Sequence, residues 1–298
     1  MKLSIIVATY NRAESLIRTL NSVIQQEAPV DRWECVVVNN ASTDDTEARV
    51  AEFLAEHPQF NIRLVYEAQQ GLSFARNKGV AESKGRFVAF IDDDETINPE
   101  FISSYLNVFK EQTAFAAAGV VRAVYDNGRP SWMSKYPEKM IANPFDLGNR
   151  VVTITSKTTP AGGNMAFDRE VFNIYGGFDG RLGRRGTELL GAEENDFFAR
   201  IRALGERVYY VPTAIVYHHI DASRLTPEYF NRLAVGVGRS KRMRAEKDGR
   251  IKALLADEKK KWRYTRILAA FYILTFRPHK AVWLLRMRRG ISQGINEK

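Results

Sequence analysis

The chain has 298 residues, of which 45% are hydrophobic and 27% charged, and this composition excludes disorder, collagen and coiled coil as the main architecture. One cysteine, Cys35, excludes an intrachain disulfide and a cysteine-based zinc site, and fits a reducing compartment. The formal charge of +9 is unevenly spread, because residues 239–298 hold 18 Lys and Arg against 5 Asp and Glu while the rest holds 26 against 30.

Along the chain, Leu3 to Val7 reads as a strand bounded by Thr9-Tyr10-Asn11. It is too short for a signal-peptide core. Residues 13–26 read as a helix, with Leu16, Ile17, Leu20, Val23 and Ile24 on one stripe. The run Cys35 to Val38 is a second strand ending at Asn39-Asn40. Ser42 or Thr43 is expected to cap the next helix, with Asp44 and Asp45 in its first turn. Ile62 to Tyr66, a helix over Leu72 to Ser83, and a strand over Arg86 to Ile91 follow. Asn98-Pro99-Glu100 is expected to open a helix with proline at its first position. Residues 125–165 read as loop with short strands such as Val151 to Thr155. Helices are expected over 168–175 and 193–204, strands over Arg207 to Val211 and Ala214 to Tyr217, and helix from Pro227 onward. Near-continuous apolar strands alternating with helices predict an α/β fold with a parallel sheet covered on both faces. Ligands then sit beyond the carboxyl ends of the strands. Ala8 to Asn11, Asn39-Asn40 and Asp92-Asp93-Asp94 all fall there.

Asp92-Asp93-Asp94-Glu95 concentrates like charge at the end of a buried strand, which a cation would relieve. Mg²⁺ suits such a place, since it takes one or two carboxylates together with phosphate oxygens; a solvated acidic turn is the plainer reading. No phosphate-binding Gly-x-x-x-x-Gly-Lys-Ser/Thr loop and no Gly-x-Gly-x-x-Gly occurs. Glu193-Glu194-Asn195-Asp196 opens a helical pattern. Its carboxylates either complement the helix dipole or supply a general base in a cleft. His218-His219 end an apolar strand, so the two rings point to opposite faces. Gly162-Gly163-Asn164 marks either a tight turn or a backbone close to a ligand. Arg76 is either a phosphate contact or a helix-surface arginine.

Taken in order, these segments resemble the inverting family-2 glycosyltransferases of the GT-A fold. The resemblance rests on Ser4-Ile5-Ile6-Val7-Ala8-Thr9-Tyr10-Asn11-Arg12, Val37 to Asp44, Gly71 to Asn77, the Asp-x-Asp pattern in Ile91 to Asp94, Gly162 to Phe167, Gly176-Gly177-Phe178-Asp179 and Glu193 to Asp196. It covers roughly residues 1–240. It implies that a nucleotide-diphosphate sugar is bound by Ala8, Thr9, Tyr10, Arg12, Asn40, Arg76, Asp92, Asp93, Gly163 and Asn164. The base pocket would fall to Ala8, Thr9, Tyr10 and Arg12, with Asn40 in place of an aspartate that reads uracil, and Arg76 would approach the diphosphate. Asp94, Asp92 and His218 would hold Mg²⁺ or Mn²⁺. Glu194, with Glu193 beside it, would be the general base, one methylene longer than the aspartate usual there. The expected division is a GT-A catalytic domain over 1–225 and a basic helical region over 226–298.

In the tail, the apolar run Ile267 to Phe276 is flanked by basic residues, with Arg277-Pro278 as a break before Ala281 to Leu285. No run of 18 apolar residues exists, so no spanning helix is expected, and ten apolar residues suit a helix lying in the interface. The tail is therefore expected to hold the enzyme peripherally on the inner face of the cell membrane through 239–289, on the cytoplasmic side, where a lipid-linked glycan acceptor would be available. A helical hairpin that packs on the catalytic domain or dimerises is the competing reading. No nucleic-acid partner is expected. Two other functions use the same features: a nucleotidyltransferase built on the acidic cluster, and a nucleic-acid-binding protein built on the tail.

Overall fold

The computed structural model describes residues 3–112, 114–155, 158–186 and 188–297. Lys298, the end of the basic tail, lies outside these. The chain runs β1 (Leu3–Thr9), α1 (Ala13–Val23), β2 (Trp33–Asn39), α2 (Thr46–Glu56), β3 (Ile62–Tyr66), α3 (Leu72–Glu82), β4 (Phe87–Asp92) and β5 (Glu95–Ile97). It continues with α4 (Phe101–Gln112), β6 (Ala116–Tyr125), α5 (Lys135–Ile141), β7 (Val152–Thr153), β8 (Met165–Asp168), α6 (Glu170–Tyr175), α7 (Glu193–Ala203) and β9 (Val208–Ile220). Three long helices follow, α8 (Pro227–Lys247), α9 (Ile251–Leu274) and α10 (Pro278–Asn296).

The described strands form one sheet of order β3-β2-β1-β4-β8-β6-β9-β5, with β7 paired to β9. The half made of β3, β2, β1 and β4 is parallel, as the β-α alternation requires. Beyond it, β4–β8, β6–β8, β5–β9 and β7–β9 pair antiparallel. Successive strand residues point to opposite faces, which explains the unbroken apolar runs. Ile5, Val7, Cys35 and Val37 pack with Leu16, Leu20 and Val50 on one side. Ile6, Val36 and Val38 pack with Ala75, Phe167 and Phe197 on the other.

Four expectations are corrected. The helix after β2 starts at Thr46, because Asp44 Oδ1 accepts from Thr46 N–H at 3.1 Å and from its hydroxyl at 2.5 Å. Ser42 and Thr43 instead tie to the first loop, where Ser42 Oγ accepts from Asn11 N–H (3.0 Å) and Thr43 N–H donates to Asn11 Oδ1 (2.7 Å). Pro99 precedes α4, which begins at Phe101. The stretch 125–165 contains α5, and the two strands expected around Pro212 are one, β9. Pro212 falls between the β7 pairing at Tyr209–Tyr210 and the β5 pairing at Val216–His218, where its missing N–H breaks no ladder bond on that side.

The chain divides into two compact units. The first comprises residues 1–123, 144–181 and 193–219, and the second residues 124–143, 182–192 and 220–298. Within the second, α8 and α10 meet backbone to backbone. A Cβ on Gly238 would lie 2.2 Å from Ile291 O, and one on Gly294 would lie 2.0 Å from Val235 O. The α9–α10 contact is polar inside. Arg288 Nη1 donates to both carboxylate oxygens of buried Glu258 (3.2 and 3.0 Å), Ser292 Oγ donates to Glu258 (2.7 Å), and Trp262 Nε1 donates to Ser292 Oγ (2.7 Å).

Gly294→Ala tests the close helix contact. Alanine is the better helix former by up to about 1 kcal/mol, yet its methyl group must push two backbones apart, and overpacking of this kind costs about 1–3 kcal/mol. We expect a lower urea midpoint for the full chain, whereas a gain in stability would show that the helices are not in contact there.

Candidate active site

The first unit gathers its polar groups at the carboxyl ends of β1, β2 and β4, where register alignment sets Ala8 beside Asp92. Asn11 and Ala41 adopt φ of 53° and 60°. Both turns therefore reverse sharply in the left-handed region, which asparagine tolerates and alanine does not favour. The loops after β1 and β2 are locked together by the Asn11 bonds to Ser42 and Thr43 described above.

Two ionic clusters follow from this. In the first, Arg12 Nη1 donates to Asp93 Oδ1 (3.1 Å) and Asp94 Oδ2 (2.5 Å), and Thr9 Oγ1 donates to Asp93 Oδ2 (2.9 Å). Asp94 Oδ1 lies 3.6 Å from His218 Nε2, and the two side chains are 8% and 10% exposed. The β5–β9 pairing, with Glu95 opposite His218, brings that imidazole to the acidic turn, whereas His219 points away to Thr96 Oγ1 at 3.0 Å.

In the second cluster, Arg76 on α3 is 3% exposed in its side chain. Its Nη1 donates to Glu193 Oε1 (2.6 Å), and its Nη2 donates to Asp92 Oδ1 (3.0 Å) and Gly162 O (3.2 Å). The guanidinium also sits 6.0 Å and 5.8 Å from the ring centres of Phe90 and Phe178. Gly162 is small enough to lie between Arg76 and Glu194, since a Cβ there would be 3.3 Å from Arg76 Nη2 and 3.5 Å from Glu194 Cγ. Glu194 accepts from Asn195 Nδ2 at 2.8 Å. Burial, with the charge of Glu193 next, pushes the Glu194 carboxyl up to about 8 against the opposing pull of Arg76. A carboxyl in that condition takes up and releases a proton near neutrality, as a general base must.

The structure thus brings together Thr9, Arg12, Asp93, Asp94 and His218, and separately Arg76, Asp92, Glu193, Glu194 and the Gly162-Gly163 turn. Two expected donor-binding side chains are occupied elsewhere. Asn40 donates to the carbonyls of Glu67 (3.1 Å) and Gln69 (2.9 Å) and accepts from Gly71 N–H (2.7 Å). An aspartate there would face two carbonyl oxygens, so this loop needs the amide. Asn164 is fully buried, donating to Val120 O and Ala214 O and accepting from Tyr105 Oη. Arg76, for which the resemblance implies a diphosphate contact, has its bonds on protein groups. Ala8 and Tyr10 are half-buried beside these loops.

Two further residues shape the site. Glu95 is buried and accepts Asp92 N–H at 2.8 Å. A Cβ on Gly163 would lie 2.3 Å from its carboxylate oxygens, so the acidic turn rests directly on that glycine. Burial and the charge of Asp92 raise the Glu95 carboxyl well above the usual range. Asn77 exchanges bonds with the backbone of Phe178 in both directions, at 2.9 and 2.8 Å, and so fastens α3 to the Gly176-Gly177 turn. The sequence signals were the fourth acid after three aspartates and the Arg76-Asn77 pair.

Among the described residues, no group of three or more His, Cys, Asp or Glu side chains is arranged to hold a metal ion. The Asp94–His218 pair offers one carboxylate oxygen and one imidazole nitrogen. That donor set suits a divalent cation whose other positions are filled by phosphate oxygens and water.

The sequence pattern of the family described as "Glycosyl transferase family 2" matches residues 4–176. The chain belongs to glycosyl transferase family 2. It is 29% identical over 255 residues to a glucosyl-dolichyl phosphate glucuronosyltransferase of Haloferax volcanii, a match covering 82% of this chain and 77% of that one. It is 26% identical over 232 residues to the poly(ribitol-phosphate) β-N-acetylglucosaminyltransferase TarS of Staphylococcus aureus, covering 77% of this chain but only 39% of TarS. The mannosyltransferase PcManGT of Pyrobaculum calidifontis, solved with GDP-Man and Mn²⁺, has a TM-score of 0.65 at 20% identity over 98% of this chain and 87% of its own. That likeness fixes the fold as GT-A. Family membership makes the chain a glycosyltransferase and not a nucleotidyltransferase.

The Arg76 cluster is testable without substrate. Breaking a buried ion pair by removing one partner costs about 3–5 kcal/mol, because a charge is left uncompensated. Arg76→Met should lose stability on that scale in chemical denaturation, and adding Glu193→Gln should restore part of it. A loss under about 1 kcal/mol for Arg76→Met would mean that the pair is solvated.

Proposed function

We propose that this glycosyltransferase moves a sugar from a nucleotide-diphosphate donor to a hydroxyl of a lipid-linked glycan, with inversion at the anomeric carbon, in cell-surface polysaccharide or glycoconjugate synthesis. Residues 1–225 carry the chemistry and residues 226–298 attach the enzyme to the inner face of the membrane. The observation that carries the chemical reading is the Glu193–Arg76–Asp92 tie, which fixes the carboxyl pair at the start of α7 relative to the acidic turn after β4.

Glu194 removes the proton from the acceptor hydroxyl. The freed oxygen bonds to the anomeric carbon as the bond from that carbon to the diphosphate oxygen breaks, and the nucleoside diphosphate leaves with the electron pair. Burial, and then the charge of Glu193 that Arg76 holds in place, keeps the Glu194 carboxyl basic enough to take the proton. Arg12 and Thr9 orient Asp93 and Asp94. Asp94, Asp92 and His218 would hold Mg²⁺ or Mn²⁺, and such an ion would offset charge developing on the diphosphate. The proposed donor class is supported by the GDP-Man bound in PcManGT. The lipid-linked acceptor is supported by the dolichyl phosphate in the name of the Haloferax relative. No helix among the described residues is long and apolar enough to cross a membrane; the proposed attachment is the basic stretch 239–289.

Incubation with nucleotide sugars and glycan acceptors, with product analysis, tests the reaction class. Release of nucleoside diphosphate supports it, and release of pyrophosphate overturns it. Glu194→Gln should leave donor affinity within about threefold while lowering kcat by about 10²–10⁴. Since the base must be ionised and its carboxyl lies near 8, kcat/KM should rise about tenfold per pH unit below that value and level off above it. A flat profile from pH 6 to 9 would move the base elsewhere. Asp94→Ala should abolish Mn²⁺ binding, read by the EPR signal of the free ion, with melting behaviour retained.

A further inference from the structure

We infer that the far end of the α9–α10 hairpin is a wedge that inserts into an anionic lipid bilayer. The inference rests on the membrane reading above and narrows it from a 51-residue basic stretch to one structural feature. On α9, Glu258, Thr265 and Ala269 are buried, with Trp262 bonded to α10 beside them. At about 100° per residue these four share one stripe. Tyr264, Ile267, Phe271 and Leu274 fall roughly opposite that stripe, and they are 73, 69, 55 and 78% exposed. The turn into α10 adds Phe276, 93% exposed and held at φ 55°, and Val282 follows at 55%. Monomeric soluble surfaces scatter such residues singly, whereas a contiguous apolar end marks a docking surface.

The charge pattern selects the occupant. From Lys259 to Asn296 the sequence holds ten Lys and Arg and no Asp or Glu. Arg263, Arg266 and Arg277 are exposed around the apolar end, and Arg266 stacks at 5.5 Å on Trp262. An acid-free collar around exposed aromatics matches a surface of anionic headgroups over acyl chains. A second copy of the same end would bring the same positive charge and be repelled. The network of Glu258, Arg288 and Ser292 holds the hairpin rigid from within, so the apolar face is presented outward without rearrangement.

The test uses the full chain and vesicles of phosphatidylcholine, with and without 30% phosphatidylglycerol. The parent should sediment with the anionic vesicles at least tenfold more tightly than with the neutral ones. Leu274→Ser/Phe276→Ser should lose at least tenfold of that affinity, with an unchanged melting temperature. Because Cys35 is buried, Leu274→Cys carries a single reactive thiol for an environment-sensitive dye, which should shift to the blue only with anionic vesicles. If the double variant binds as tightly as the parent and the dye stays in water, the wedge is wrong while membrane attachment stands. If the parent binds neither vesicle, both readings fall. Self-association of the parent that the double variant loses, without vesicle binding, would instead assign the surface to a second copy.

Discussion

The site depends on one buried arginine. Arg76 is carried on α3, and its bonds reach the end of β4 through Asp92, the 162–163 turn through a carbonyl, and the start of α7 through Glu193. A guanidinium can do this because it is planar, permanently charged and presents five donors in a fixed fork. Lysine concentrates its three donors on one nitrogen and lacks the planar span that lets Nη1 and Nη2 reach separate elements at once. Desolvating the arginine is expensive, and its carboxylate partners offset that expense only if both stay in place. The pair of carboxylates at the head of α7 is therefore tied to the acidic turn by electrostatics, although more than a hundred residues separate them in sequence.

The acidic turn solves its own charge problem by division. Asp92 goes to Arg76, Asp93 to Thr9 and Arg12, Asp94 to Arg12 and His218, and Glu95 folds inward to close the turn on Asp92 N–H. Four adjacent acids thus have four different environments. Asp94 differs from its neighbours in lying between a guanidinium and an imidazole, with one carboxylate oxygen on Arg12 Nη1 and the other 3.6 Å from His218 Nε2. The same logic separates Glu193 from Glu194. Glu193 is paired with Arg76, whereas Glu194 is desolvated beside that pair and holds its proton to higher pH.

Much of this was legible in the sequence, and the remainder was illegible for physical reasons. The parallel half of the sheet was readable because β1, β2 and β4 are buried on both faces, so their apolar runs are unbroken. The antiparallel half was not: Ala116 to Val121 is mostly alanine and valine, and Met165 to Asp168 is only four residues long, so neither shows a periodicity that separates strand from helix. The acidic turn, the His218 and Glu193-Glu194 positions and the two glycines were readable as polar groups at strand or helix ends. What Arg76, Asn40 and Asn164 touch was not, because each is fixed by partners distant in sequence. A buried amide bonding three backbone groups and a ligand-reading amide are spelled with the same letter.

The second unit uses the same device for a different end. Its Glu258–Arg288 pair is also buried and also bonded on several sides, by Ser292 and by Thr265 Oγ1 to Arg288 Nε at 3.2 Å. Two long helices could slide along an apolar seam by a turn at little cost, whereas a charged pair with this many bonds permits one register only. The glycine contacts of α8 and α10 act in the same direction, since a displaced helix would drive a side chain into a backbone carbonyl. A hairpin fixed in this way can leave its outer face apolar without collapsing on itself. Phe276, 93% exposed at the turn between the two helices, is kept outward because the rigid hairpin cannot bend to cover it.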